Sequence, residues 1–293
     1  MSFSKNHTEF REKNEIVGGT LYLVATPVGN LADLSERAVK VLSEVDFIAA
    51  EDTRNTGLLL SRLGIHKSMV SYFEHNKRER GEMIADRLAN GESCALVTDA
   101  GTPAISDPGE ELVKLCAERG IPVTSVPGAC AAILALTLSA LSTGRFVFEG
   151  FVSTSKALRS ERFQILSKDE RTVIIYEAPH KLRSTLNDLY EYFGDRKITL
   201  CRELTKLNEE IIRTTVSKAI EKYKTADPRG EYVLVIEGAP ILDKAEYPED
   251  VTKHVNKLIS EGLDRMSAMK KAAKERGIPK SDIYKQYVSS DEE

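Results

Sequence analysis

Between Gly19 and Val126, short apolar runs rich in β-branched residues alternate with stretches whose apolar positions recur every three or four residues, as a parallel sheet covered by helices requires. The alternation predicts strands at 21–25, 47–50, 69–72, 93–97 and 123–126, and helices at 34–44, 55–63, 80–89 and 110–119, with Gly64, Gly91 and Gly120 as C-terminal stops. A helix over 128–141 then leads into strands at 146–151, 172–176, 198–201, 210–216 and 232–237. The last of these follow one another with little helix between them, which predicts a mixed sheet. Past Pro240 the period changes to three short amphipathic helices, 248–260, 265–276 and 281–287, separated by Gly262 and by Gly277-Ile-Pro279. The expected organisation is a polar, disordered leader at 1–17, α/β domains at 18–126 and 127–240, and a helix-turn-helix-like appendage with an acidic tail at 241–293.

Composition narrows the class. The 293 residues suffice for about two domains, and 41% hydrophobic with 29% charged residues describes a soluble globular chain. The longest apolar run, 126–141, is interrupted by Gly, Ser and Thr and falls short of a membrane span. The first 17 residues lack an apolar signal core, so the cytoplasm is the expected location. Cys94, Cys116, Cys130 and Cys201 have no C-x-x-C spacing and lie in apolar surroundings, which reads as buried thiols with no metal cluster and no disulfide. A net charge of −4 excludes a protein that coats nucleic acid by bulk electrostatics, so any RNA contact must come from local patches.

Candidate chemistry concentrates in Gly- and Pro-rich joints at strand ends: ATPVGN at 25–30, VTDAGTPAISDPG at 97–109 and SVPGACAA at 125–132. A single joint of this kind is an ordinary connector. Three at one sheet edge could line a cleft whose exposed backbone groups hydrogen-bond a small ligand. No Gly-x-Gly occurs anywhere, so neither a dinucleotide fingerprint nor a nucleoside-phosphate loop can be drawn.

GTLYLVATPVGNL at 19–31, AEDTR at 50–54, the 98–109 loop, VPGA at 126–129, FEGF at 148–151, YEAPH at 176–180 and RELTK at 202–206 together resemble the tetrapyrrole methylase superfamily, and within it the branch acting on small-subunit ribosomal RNA. The resemblance runs from about Gly19 to the C-terminus. It implies two α/β domains of the class III methyltransferase type with a small helical appendage, S-adenosylmethionine in the cleft between the domains, and a homodimer. It also implies methyl transfer to the ribose 2′-hydroxyl of a decoding-centre cytidine of 16S rRNA in the small ribosomal subunit. Residue by residue, it assigns cofactor contacts to Pro27, Asp99, Gly101, Thr102, Ser106, Asp107, Val126, Gly128, Ala129 and Ala132. From the second domain it adds Gly150, Phe151, Tyr176, Glu177, Ala178 and Pro179. At Gly101 or Gly128 a side chain would fill cofactor volume or force the backbone from its permitted dihedrals.

A ribose hydroxyl loses its proton on attack, so a base would assist. Glu51 and Asp52 follow one strand end and His75 another, and these three are the catalytic candidates. A carboxylate beside Arg54 can equally be structural, and a His at a strand exit can be a surface residue. Arg54, Lys77, Arg78, Arg80, His180, Arg202 and Lys206 are candidate phosphate contacts, although charged residues on helix faces are usually solvated. Lys270, Lys271 and Lys274 give the appendage a basic face that reads either as an RNA-docking surface or as ordinary exposed helix. A superfamily enzyme acting on a tetrapyrrole and a non-catalytic ribosome-assembly factor remain the alternatives.

Overall fold

A computed structural model of the chain describes residues 14–240, 248 and 250–289. The expected leader up to residue 13 and the acidic tail at 291–293 lie outside the described residues. The chain separates at Ala239/Pro240 into two compact units.

The first unit contains two five-stranded sheets. Strands β1 (Leu21–Val24), β2 (Phe47–Ala50), β3 (Ser68–Ser71), β4 (Cys94–Val97) and β5 (Val123–Val126) form an all-parallel sheet in the order β3-β2-β4-β1-β5. Helices α1 (Glu36–Glu44), α2 (Thr53–Arg62), α3 (Lys77–Ala89) and α4 (Glu110–Glu118) alternate with these strands. Every residue of β2 and β4 is buried, because helices cover both faces of a parallel sheet. One face packs around Val41, Leu42 and Ile48, the other around Phe47, Ile84, Leu88 and Leu112. From β1 the chain crosses over β4 to reach β2, whereas from β4 it crosses over β1 to reach β5. Adjacent strands whose connections leave in opposite directions open a crevice at their carboxyl ends.

The second sheet, β6-β7-β10-β8-β9, is built from β6 (Phe146–Phe151), β7 (Thr172–Glu177), β8 (Lys197–Arg202), β9 (Glu210–Thr215) and β10 (Tyr232–Ile236). β6 and β7 are parallel and the remaining pairs antiparallel, a mixed sheet. One face carries α6 (Lys156–Leu166), α7 (Leu182–Phe193) and α8 (Val216–Thr225) around Phe163, Leu186 and Leu234. The other face is covered by α5 (Ala131–Leu138), whose Ala132, Ala135 and Leu136 pack on Ile174, Val233 and Val235. The helix that follows the last strand of the first sheet thus belongs to the core of the second.

Strand positions agree with the sequence pattern to within one or two residues; the helices differ more. The helix expected over 128–141 is shorter, because Pro127 and Gly128 precede an extended Cys130 (φ −140°). Helix α2 starts at Thr53 because the Asp52 carboxylate caps it, and α1 starts after Ser35, whose hydroxyl accepts from Ala38 N–H. The expectation of little helix between the last strands holds for β8–β9, whereas α8 separates β9 from β10.

The second unit is a three-helix bundle of α9 (Val251–Ser260), α10 (Arg265–Arg276) and α11 (Lys280–Ser289) around Val255, Leu258, Met269, Ala272 and Ile283. His254 is buried, with Nε2 2.9 Å from the Glu275 carboxylate and Nδ1 accepting from Arg276 Nε. Among the described residues no helix is long and apolar enough to cross a membrane.

Candidate functional site

The crevice predicted by strand order is occupied by interlocking loops. Thr26 N–H donates to Gly101 O (2.9 Å) and Gly101 N–H to Thr26 O (3.0 Å), while Thr26 Oγ1 donates to Thr98 O (3.0 Å). The joints after β1 and β4 are therefore one structure. The joint after β5 is tied to them by Thr102 Oγ1, which donates to Ala129 O at 2.9 Å. Gly101 sits at φ +88°, where an L side chain is strained. Gly128 has a different reason to be glycine. A Cβ there would lie 2.6 Å from Ala25 Cβ, so the close passage of the β5 joint over the β1 joint by itself requires glycine.

Opposite these loops stand the carboxyl ends of β6, β7 and β8 and the start of β10, enclosing a cleft of about 490 Å³, within the usual span of small-ligand sites. Pro27, Glu51, Asp99, Gly101, Thr102 and Asp107 line it from the first sheet; Phe151, Tyr176, Arg202 and Lys206 line it from the second. Cys130, Glu203, Glu231 and Tyr232 also line it and were not foreseen. Glu231 and Tyr232 reach it because β10 runs antiparallel, so that its first residue pairs with Glu177 of β7 and Arg202 of β8. That orientation is not readable from the residues of β10 themselves.

The remaining candidates stand outside the lining. Val126 is buried in the first core. Ala132 N–H donates to the Tyr176 hydroxyl at 3.0 Å, fixing α5 to β7. Glu177 is buried, accepting from Ala178 N–H at 2.9 Å and from the Thr185 hydroxyl. Pro179 and His180 form a single 3-10 turn after β7, with His180 exposed. Ser106 and Gly150 meet across the two sheets, Ser106 Oγ lying 2.5 Å from where a Gly150 Cβ would stand.

The acids of the cleft are unusual. Burial pushes the Asp107 carboxyl up to about 7, aided by the charges of Glu51, Asp99 and Glu231. Burial also raises Glu51, although Asp99 N–H donates to its carboxylate at 3.2 Å. Asp52 behaves oppositely: bonds from the Arg54 side chain and backbone N–H hold it at about 2. It caps α2 and binds Arg54, so neither residue faces the cleft lining. His75 is exposed, edge-on to Phe73. Lys77 is held by Glu74 (2.7 Å) and Glu111 (2.5 Å), and Arg80 contacts Met83, whereas Arg78 is exposed. Arg202 pairs with Glu210 at 2.5 Å and Lys206 with Glu203 at 3.0 Å.

Four of the described non-glycine residues with positive φ, Ala104, Ser106, Glu203 and Thr205, occupy the two loops that face each other here. Left-handed backbone at such residues is costly and collects at functional sites.

The sequence model of the Tetrapyrrole (Corrin/Porphyrin) Methylases matches residues 20–220. The chain belongs to the tetrapyrrole methylase family. It is similar to the "Ribosomal RNA small subunit methyltransferase I" of Synechocystis sp., 47% identical over 91% of this chain and 96% of the relative. The protein of that name from Bacillus subtilis is 42% identical over 97% and 98% of the two chains. A uroporphyrin-III-C-methyltransferase from Thermus thermophilus superposes with a TM-score of 0.55 over 75% of this chain and 94% of its own, at 19% identity, which establishes the shared fold alone. Methyltransferases of the tetrapyrrole methylase family use S-adenosylmethionine as methyl donor. The cleft suits that donor: five carboxylates and exposed backbone groups complement a ligand that carries a sulfonium and an amino group. Among the described residues no group of His, Cys, Asp and Glu could hold a metal ion.

Proposed function

We propose that this chain transfers a methyl group from S-adenosylmethionine to the ribose 2′-hydroxyl of a decoding-centre cytidine of 16S rRNA in the small ribosomal subunit, as a cytoplasmic homodimer with 18–126 and 127–240 as its two domains. The observation that carries this reading is the near end-to-end similarity, across 97% of the chain, to relatives named for small-subunit rRNA methylation.

When bound, the donor supplies an activated methyl group, and the protein's work is to align the acceptor and exclude water. Glu51, Asp99 and Asp107 hold the cationic end, and the loop of Gly101 and Thr102 presents its backbone to the remainder. Asp52, which caps α2 and is held at about 2 by Arg54, is turned away from the hydroxyl, whereas Glu51, raised by burial, lines the cleft and is the carboxylate suited to take the proton. Phe151, 53% exposed and packed edge-on to Tyr176 at 5.5 Å, offers a free ring face for a base. Arg202 and Lys206 present positive charge to the phosphate backbone.

The deciding experiment incubates the protein with labelled S-adenosylmethionine and small subunits that lack the modification, followed by nuclease digestion. Label on a cytidine 2′-oxygen supports the reading. Label on a base, or none despite cofactor binding, overturns it.

A further inference from the structure

The three helices of the second unit differ in charge from the segments that flank them. Residues 250–289 contain nine basic and five acidic side chains, a surplus of four positive charges, whereas 240–249 and 290–293 on either side carry five negative charges in excess and residues 1–239 carry three. Three of the five acids are engaged inside the bundle. Asp250 caps α9 by accepting from Lys253 N–H at 2.7 Å, Asp264 caps α10 through Met266 and Ser267 N–H, and Glu275 bonds buried His254.

The positive groups are also arranged. On α10 the buried face is Ala268, Met269, Ala272 and Ala273, and Lys270 and Lys274, one turn apart, stand on the exposed side. Neither makes an ion pair among the described residues, and neither does Lys280, which opens α11 immediately after the Gly277-Ile-Pro279 turn. One turn further along α11, Tyr284 is 52% exposed and touches no other ring among the described residues. Three unpaired cations followed by an exposed aromatic ring match a nucleic-acid strand, whose phosphates take the cations and whose unstacked bases take a ring.

We infer that the α10–turn–α11 face docks on RNA, with Lys270, Lys274 and Lys280 on consecutive phosphates and Tyr284 stacked on a base. This gives the acidic catalytic unit a separate means of holding a polyanion. It rests on the proposed rRNA substrate, and the test separates the two.

The test compares wild-type protein, the triple variant K270E/K274E/K280E and Tyr284→Ala. Binding to labelled small subunits and to deproteinised 16S rRNA is measured across a salt series, with methyl transfer assayed in parallel. Cofactor affinity and the melting curve serve as controls. The expected result is loss of about tenfold or more in RNA affinity for the triple variant, with a log–log salt slope shallower by about two, at ~0.7 per lost phosphate contact. The Tyr284→Ala variant should lose affinity with its salt slope unchanged, since stacking releases no counterions. Cofactor affinity should be unaltered. Wild-type RNA binding by a folded triple variant overturns the docking face. So does a loss confined to whole subunits with naked rRNA binding intact, because the partner would then be a ribosomal protein. If the wild type binds RNA through this face but methylates none, docking stands and the proposed activity fails.

Discussion

A carboxyl titrating near 7 inside a cleft for a cationic donor has a measurable consequence. The charged form of Asp107 attracts the donor and the neutral form does not, so apparent affinity scales with the ionised fraction. With Asp107 at about 7, that fraction is about one-half at pH 7, about one-tenth at pH 6 and about nine-tenths at pH 8. The dissociation constant for S-adenosylmethionine should therefore weaken about fivefold between pH 7 and 6, and about tenfold between pH 8 and 6. Binding should release about half a proton at pH 7, as the arriving cation drives the carboxyl to its charged form. Isothermal calorimetry in two buffers of different ionisation heat reads both quantities. Because the donor's own amino group titrates in the same range, Asp107→Asn is the reference, sharing the ligand's titration without the carboxyl. That variant should bind more weakly at pH 8 and show a flatter profile. Equal slopes in wild type and Asp107→Asn would refute the reasoning. The same carboxyl affects the unliganded protein with the opposite sense. A group raised from 3.8 binds more protons folded than unfolded, so its stabilising contribution is complete below pH 4 and disappears as pH rises through 7.

Further outcomes follow from the geometry. Gly101→Val, which places a branched side chain at φ +88°, should abolish cofactor binding in calorimetry while the circular dichroism spectrum stays folded. Gly128→Ala, meeting Ala25 Cβ at 2.6 Å, should cost about 1–3 kcal/mol in a denaturant titration; an unchanged midpoint would show that the loop passage is not tight. Glu51→Gln should lower methyl transfer, whereas Asp52→Asn, which retains the cap on α2, and His75→Ala should leave it near wild type in the labelled-methyl assay. Phe163→Ala, removing a fully buried ring from the second core, should destabilise by about 3–5 kcal/mol in chemical unfolding.

The strands were legible because each is a short β-branched run bounded by Gly, Pro or charged residues, and the three joints were legible because their Gly and Pro content interrupts both periodicities. Helices α6, α7 and α8 were not predicted, although Leu182, Leu186, Leu189 and Phe193 of α7 keep a helical spacing. In α6 only Phe163 and Leu166 are buried, too few to impose a period. In α8 the spacing of Val216, Ala219 and Tyr223 is helical, but Val216 also extends the apolar run of β9 and reads as strand. For the site, the sequence could not separate Glu51, which lines the cleft, from Asp52, because the distinction is conformational. One carboxylate points into the cleft lining, while its neighbour turns back to cap α2. Glu231 was invisible for a topological reason, since its position depends on the direction of β10 within a sheet whose strand order skips along the chain.

The placement of α5 has a consequence for how the first unit comes apart. The chain leaves the last strand of one sheet and at once enters the core of the other, so the second core cannot open without releasing the segment that carries Cys130 and Ala131 along the cleft. Ligand occupancy and the integrity of both sheets are therefore thermodynamically linked. A saturating cofactor should therefore raise the melting temperature of both sheets together, a gain that probes placed in either sheet would report equally.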